Sequence, residues 1–403
     1  MSFQSALSGL NASSRNLDVI GNNIANANTV GMKASRAEFA SIVASAGGGG
    51  GISAEIGVEV ATVSQQFSQG NINITNNDLD VAINGGGFFQ LTMPDGSAAY
   101  TRNGEFKLDK LGNIVTNSGA NLMGYPTDKT GKPTSASIQV LQLPTAAPIA
   151  ASATTSITAE FNLDARAPIA SSVTPPTPRA TYGTALTAYD SQGAPLPVNL
   201  YFTKVTPATA GTDQWDVYDS LAGASVGSLV FDATGKLTSS TVGSLTLTPA
   251  APSIVPAFPV TADFGKVTQY GAAYSVSNLT QDGYAPGELV GMKVGENGVI
   301  TARYSNGQTQ AAGQISLAEF RNVQGLTPIG GNNWAETYAS GQPVQGSPGV
   351  GKFGALRSGA LEESNIDLTA ELVNMMTAQR AYQANAQTIK TQDQVMSTLV
   401  NLR

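Results

Sequence analysis

The sequence predicts a mainly β, nested multi-domain subunit with α-helical coiled-coil termini. Three observations carry that expectation. Proline is absent before Pro94 and after Pro348, and 13 of the 20 prolines lie between Pro144 and Pro259. Apolar residues recur every seven positions at both ends. Strand and turn signals occur in two blocks, on either side of a long Pro/Thr/Ala-rich stretch. Since proline and glycine break helices, the ends are permitted to be long helices and the middle is not.

At the N-terminus Phe3, Leu10, Leu17 and Ile24 are spaced by seven, with Leu7 between the first two and small Ser14 and Gly21 continuing a second row. Gly9 and Gly21 each lower helix propensity by about 1 kcal/mol relative to Ala. Ordering each backbone residue costs about 1 to 2 kcal/mol, which internal hydrogen bonds offset only in part. Such a helix needs a partner to stand. After Asn28 the chain loosens, and Gly47, Gly48, Gly49, Gly50 and Gly51 read as a hinge or flexible linker. No Gly-Lys-Ser/Thr follows that run, so it is not a phosphate cradle.

From about Asn71 the signals turn to β. Tyr100-Thr-Arg, Asn103-Gly104 and Glu-Phe-Lys-Leu108 read as strand, turn and strand, and Asp109-Lys-Leu-Gly112 turns the chain again. The same grammar returns at Val299 to Tyr304, Asn306-Gly307 and a strand towards Phe320, so the two blocks are expected to share one domain. The stretch between them carries its own strands, such as Val198 to Thr203 and Trp215 to Tyr218, entered and left through flexible passages such as Ala165 to Arg179.

The C-terminal end has neither Gly nor Pro from Ile366 to Arg403. Leu368, Met375, Tyr382, Ile389 and Met396 form one row, and Leu372, Gln379, Ala386, Asp393 and Val400 a second. This is the seam of a helix packed lengthwise on other helices, with Asn365 or Asp367 available as its cap. About 35 residues at 1.5 Å each give a rod of roughly 50 Å. The predicted self-assembly seam is therefore Phe3, Leu7, Leu10, Leu17, Ile24, Leu368, Leu372, Met375, Tyr382, Ile389, Met396 and Val400. The expected plan is nested. Residues 1–30 and 364–403 form the helical core, 31–70 and 353–363 a connector, 71–142 and 283–352 an inner β domain, and 143–282 an inserted outer β domain.

Composition narrows the function. With no His and no Cys, Ser-His-Asp triads, thiol nucleophiles and imidazole or thiolate metal sites are excluded. No catalytic, cofactor-binding or metal-binding residues are assigned, and no enzyme is expected. A carboxylate hydrolase would need two acids across a cleft, whereas Asp78 and Asp80 read as a turn. The net charge of -7 comes without a basic stripe, against nucleic acid, and no apolar run is long enough to span a membrane. Only 12% of residues are charged, which suits a surface packed against neighbours. The N-terminus shows no conventional cleaved signal peptide.

Local motifs point to a family. Asp18-Val-Ile-Gly-Asn-Asn-Ile-Ala-Asn-Ala-Asn-Thr-Val-Gly-Met-Lys33 resembles the signature closing the N-terminal helix of the flagellar rod and hook axial proteins, with Val30 and Met32 where the family usually has Pro and Phe. Val81-Ala-Ile-Asn-Gly-Gly-Gly-Phe-Phe-Gln90 resembles the family's strand motif, with Gly86 where Asn is frequent. Glu371 to Ala386 and Thr391-Gln-Asp-Gln-Val-Met396 match its C-terminal helix. Gly283-Tyr-Ala-Pro-Gly287, Tyr304-Ser-Asn-Gly-Gln308, Tyr189-Asp-Ser-Gln-Gly193, Trp334 and Leu399-Val-Asn-Leu-Arg403 are similar to hook members in particular.

The resemblance implies an extracellular homopolymer, a curved tube that joins rod to filament and bends as it transmits torque. It implies export by the flagellar type III apparatus, growth beneath a hook cap, and contact with the distal rod protein and hook–filament junction proteins at the ends. Bending is expected at Gly47 to Gly51 and at the crossings near residues 143 and 282. The alternatives are a distal rod or other axial protein, a secreted β-rich adhesin or a carboxylate-dependent hydrolase.

Overall fold

The computed structural model describes residues 3–44, 54–144, 148–171, 177–250 and 253–401. The chain forms two compact units, one of residues 1–146, 291–303 and 309–403, the other of 147–290 and 304–308. Helix α1 spans Phe3–Ala25 and α2 spans Leu368–Asn401; nearly all the remaining regular structure is β.

The first unit begins with α1, which is followed by a long antiparallel hairpin of β1 (Ser35–Ala44) and β2 (Ala54–Gln65). The register runs from Ser35 opposite Gln65 to Ala44 opposite Ala54. The sequence reading expected a loose connector here. Instead the strands lead out and back, because Phe39, Val58, Val60 and Val63 favour extended backbone, and the three valines pair with Ser41, Phe39 and Ala37 across the ladder. The Gly47 to Gly51 run itself lies outside the described residues.

Strands β3 (Ile72–Ile74), β4 (Val81–Asn84), β5 (Phe88–Thr92), β6 (Ala98–Thr101), β7 (Phe106–Leu108), β8 (Ile114–Thr116) and β9 (Asn121–Tyr125) follow. Most of them join strands from residues 289–346 in a 13-stranded sheet. β5 is its axis, with Phe89 and Leu91 in one apolar cluster and Phe88 in another beside Tyr100, Phe320 and Trp334. The glycines between β4 and β5 permit a close crossing: Gly85 has φ +122°, and a Cβ there would sit 2.9 Å from Gly354 Cα.

One local expectation needs correction. β6 and β7 do not pair across Asn103-Gly104: β6 pairs β5 and Asn333–Ala335, while β7 pairs β8. Gly104 serves the crossing instead, since any Cβ there would collide with Val81 O. By contrast Val299–Tyr304 does pair antiparallel with Thr309–Ile315.

The second unit is a sandwich of two five-stranded sheets. Ile157, Ala159, Phe161 and Leu163 alternate inward along Ser156–Asp164, as a half-buried strand requires. They meet Val198, Leu200, Phe202, Trp215 and Val217 from Pro195–Val205 and Asp213–Tyr218 in one core. The passage from Ala165 to Arg179, read as flexible, is tied at its described ends. Lys204 Nζ donates to Ala165 O at 2.8 Å, and Arg179 donates to Leu221 O at 2.9 Å and lies over the Tyr218 ring.

Candidate self-assembly surface

α2 starts where Asp367 accepts the backbone N–H groups of Thr369 and Ala370 (2.9 and 3.2 Å), so Asp367 rather than Asn365 is its cap. Glu371 in the first turn complements the helix dipole. α1 packs against α2 within the chain. Asn385 sits on Gly9, where a Cβ would approach its Nδ2 to 2.9 Å, and lies near Ser13 Oγ. α1 also packs on the hairpin: Val58 N–H donates to Ser8 Oγ at 3.2 Å, and Gly57 passes too close to Ser8 for any side chain. Small residues let three elements approach.

The two predicted rows of α2 divide. Met375 and Ile389 are half-buried and share the Asn385 face with buried Ala378, at i, i+3 and i+4 spacing. That inner face is continued by Glu371 and Gln392, not by the predicted second row. Leu372, Gln379 and Asp393 of that row are exposed and Ala386 is half-buried, with Val373, Met376 and Val395 exposed alongside. Leu368, Tyr382 and Met396 of the first row also face out. On α1, Leu7 is exposed and Leu10, Leu17 and Ile24 are half-buried, whereas Ala6, Ala12, Ile20 and Asn23 are buried. The side chains of Phe3 and Val400 lie outside the described residues. Leu372, Met376 and Met396 each leave more than half their surface exposed. Full burial of such side chains contributes roughly 1.5 to 3 kcal/mol, so covering the half still exposed contributes about 1 kcal/mol apiece, and an apolar face along α2 favours association.

A second feature escaped sequence reasoning. At the root of both helices, Lys33 and Glu362 are wholly buried and Arg102 nearly so. Lys33 Nζ lies 2.5 Å from Glu362 Oε1 and donates to Ser68 O at 2.8 Å. Arg102 Nη1 donates to Glu362 Oε2 at 3.1 Å, and Gly70 N–H to Oε1 at 3.0 Å. Burial pulls both Lys33 and Arg102 below their ordinary ranges, while the Glu362 carboxylate pulls each back up. The partners are 329 and 260 residues apart along the chain, so no local pattern announces them.

Asp78 and Asp80 do form a turn: Asp80 N–H donates to Asn77 O at 2.9 Å, and Asn77 Nδ2 to Asp80 Oδ1 at 2.9 Å.

Four family models match in order along the chain: "Flagella basal body rod protein" at residues 3–33, "Flagellar hook protein FlgE/F/G D1 domain" at 82–160, "Flagellar basal body protein FlaE D2 domain" at 162–284 and "Flagellar basal body rod FlgEFG protein C-terminal" at 357–402. The chain is 42% identical to the flagellar hook protein FlgE of Escherichia coli (strain K12) and 42% identical to that of Salmonella typhimurium, covering all of both chains in each case. It is 33% identical to the hook protein of Rhizobium meliloti over all of this chain and 98% of that one. The fold is similar to the crystal structure of Helicobacter pylori flagellar hook protein FlgE2, with a TM-score of 0.53 and 15% identity over 72% of this chain and 100% of that one. With helical ends around β units, an apolar face exposed along α2, and full-length relatives of this kind, the chain belongs to the flagellar hook protein FlgE family, as a structural subunit of the bacterial flagellum and not an enzyme.

Proposed function

We propose that copies of this chain bundle their terminal helices about a common axis to build the curved hook tube, with the β units outside. The exposed apolar face of α2 carries this reading. One α1 per chain covers only the inner face of α2, and neighbouring copies supply the rest. Leu7, Leu368, Leu372, Tyr382 and Met396 then form the contact between subunits, with Met375 and Ile389 holding α1 and α2 together as the unit that is added. A groove of about 470 Å³ beside Leu368, lined by Val30, Asn73, Leu361 and Ile366 among others, offers a receptor for a neighbour at the helix roots.

In this reading the tube transmits torque from rod to filament and bends on each turn. Compliance lies at the crossings near residues 143 and 282. The hook cap guides addition, the distal rod protein and the junction proteins meet the two ends, and the flagellar export apparatus delivers the subunit. Tyr382→Asp with Ile389→Asp should leave both β units folded while tubes vanish from electron micrographs of concentrated protein. Normal tubes from that variant would overturn the assignment of the seam.

A further inference from the structure

The hairpin register changes where force must flow. Because Gln65 returns to lie opposite Ser35, the hairpin is a side excursion, out of series with the path from helices to β body. That path runs through three short segments, residues 26–34, 65–71 and 362–367. Each is pinned. Asn332 Nδ2 donates to Val30 O at 2.9 Å, and Asn23 exchanges two hydrogen bonds with Ser35 (2.7 and 2.9 Å). Gln324 Nε2 donates to Gln65 O at 2.8 Å, and Trp334 Nε1 to Gln65 Oε1 at 2.5 Å. Asn365 accepts from Ala34 N–H and donates to Gln66 O (2.8 and 2.7 Å).

Glu362 touches all three. Its carboxylate takes Lys33 from the segment leaving α1, the Gly70 N–H from the segment returning from the hairpin, and Arg102 from the β body. Its carbonyl accepts from Gly31 N–H at 2.8 Å, and its own chain enters α2 six residues later. We propose that Glu362 is the positioning residue that fixes the direction in which both terminal helices leave the β body, so that twist passes through this node rather than through the glycine run. Apolar residues of equal volume would serve bulk stability as well as a buried ion cluster does, and with no surplus positive charge. Directed bonds to three segments add what apolar packing does not supply, one fixed register. The inference rests on the tube reading above, and its test separates the two.

Glu362→Gln, made in the full chain, keeps the shape of the side chain and removes its charge. Hydrogen exchange of the monomer should quicken roughly tenfold or more at residues 26–34, 66–70 and 363–370, with the amides of Val81–Asn84 and Phe88–Thr92 unchanged. Tubes should still form, because the α2 face is intact, but with a broader spread of subunit-to-subunit twist in micrographs. Unchanged exchange at the roots, an equal rise throughout the β body, or tubes with the parental twist would each overturn the proposal. Absence of tubes from the parental chain would instead defeat the tube reading and leave exchange to decide the node. If Glu362→Gln does not fold, Lys33→Met decides: it leaves Arg102 and Glu362 as a one-to-one pair. Faster exchange confined to 26–34 and 66–70 supports the node; loosening of all three segments, or of none, refutes it.

Discussion

Asp164 shows how single carboxylates hold turns in this chain. The Arg166 side chain donates to both its oxygens (2.9 and 2.8 Å), and with the Arg166 backbone N–H brings its pKa down to about 2. Thr130 and Thr234 do the same for Asp128 and Asp232, lowering them by hydroxyl hydrogen bonds. In Asp128, Asp190 and Asp232 one oxygen also accepts the N–H groups two and four residues on, and the glycine between adopts φ between +80° and +91°. Their sequences, Asp-x-x-Gly, signal this turn. A carboxyl depressed in the fold stabilises at pH values above its unfolded pKa of about 3.9 and loses that contribution as pH falls through its folded value. For Asp164 the window runs from about 4 down to about 2. Asp164→Asn should therefore flatten the acid limb of the thermal midpoint, followed through Trp215 fluorescence; an unchanged limb would remove Asp164 from the account.

At the scale of elements, the two faces of α2 should respond differently to substitution. Met375→Ala and Ile389→Ala act on the packing of α1 and α2. Each side chain is half-buried, so the cost is about 1 to 2 kcal/mol, below the 2 to 5 typical of full burial. Leu372→Asp with Met376→Asp lies on the exposed face and should leave the monomer's helicity unchanged by circular dichroism while raising the concentration at which tubes appear. Equal effects of both sets on monomer stability would contradict the division. Both long helices were legible in the sequence because a seven-residue period survives without knowledge of partners. The face each row turns inward was not, since Ala378 and Asn385 line the inner contact by being small or polar. The strands read at Val198 to Thr203 and Trp215 to Tyr218 lie within Pro195–Val205 and Asp213–Tyr218, whereas β6 and β7 do not pair as read because a crossing at Gly104 mimics a hairpin turn. The Lys33, Arg102 and Glu362 node left no trace in any window.

Over the whole molecule, each compact unit holds one tryptophan in an apolar cluster, Trp215 in one and Trp334 in the other. Each is a native probe of its own unit. The chain also lacks His and Cys, so no side chain has an ordinary pKa between about 5 and 8. Tube formation should then vary by less than about twofold in critical concentration from pH 5.5 to 7, measured by sedimentation; a steep dependence would require a strongly shifted carboxyl at the contact. The hairpin register has a practical use of its own. With Ala44 facing Ala54, the ladder holds both ends of the intervening sequence, so an insertion between them leaves the point where the chain re-enters the ladder unchanged. A cysteine placed there would be the sole thiol in the protein. One fluorophore per subunit could then be attached at a known site to follow growth of the tube in living cells.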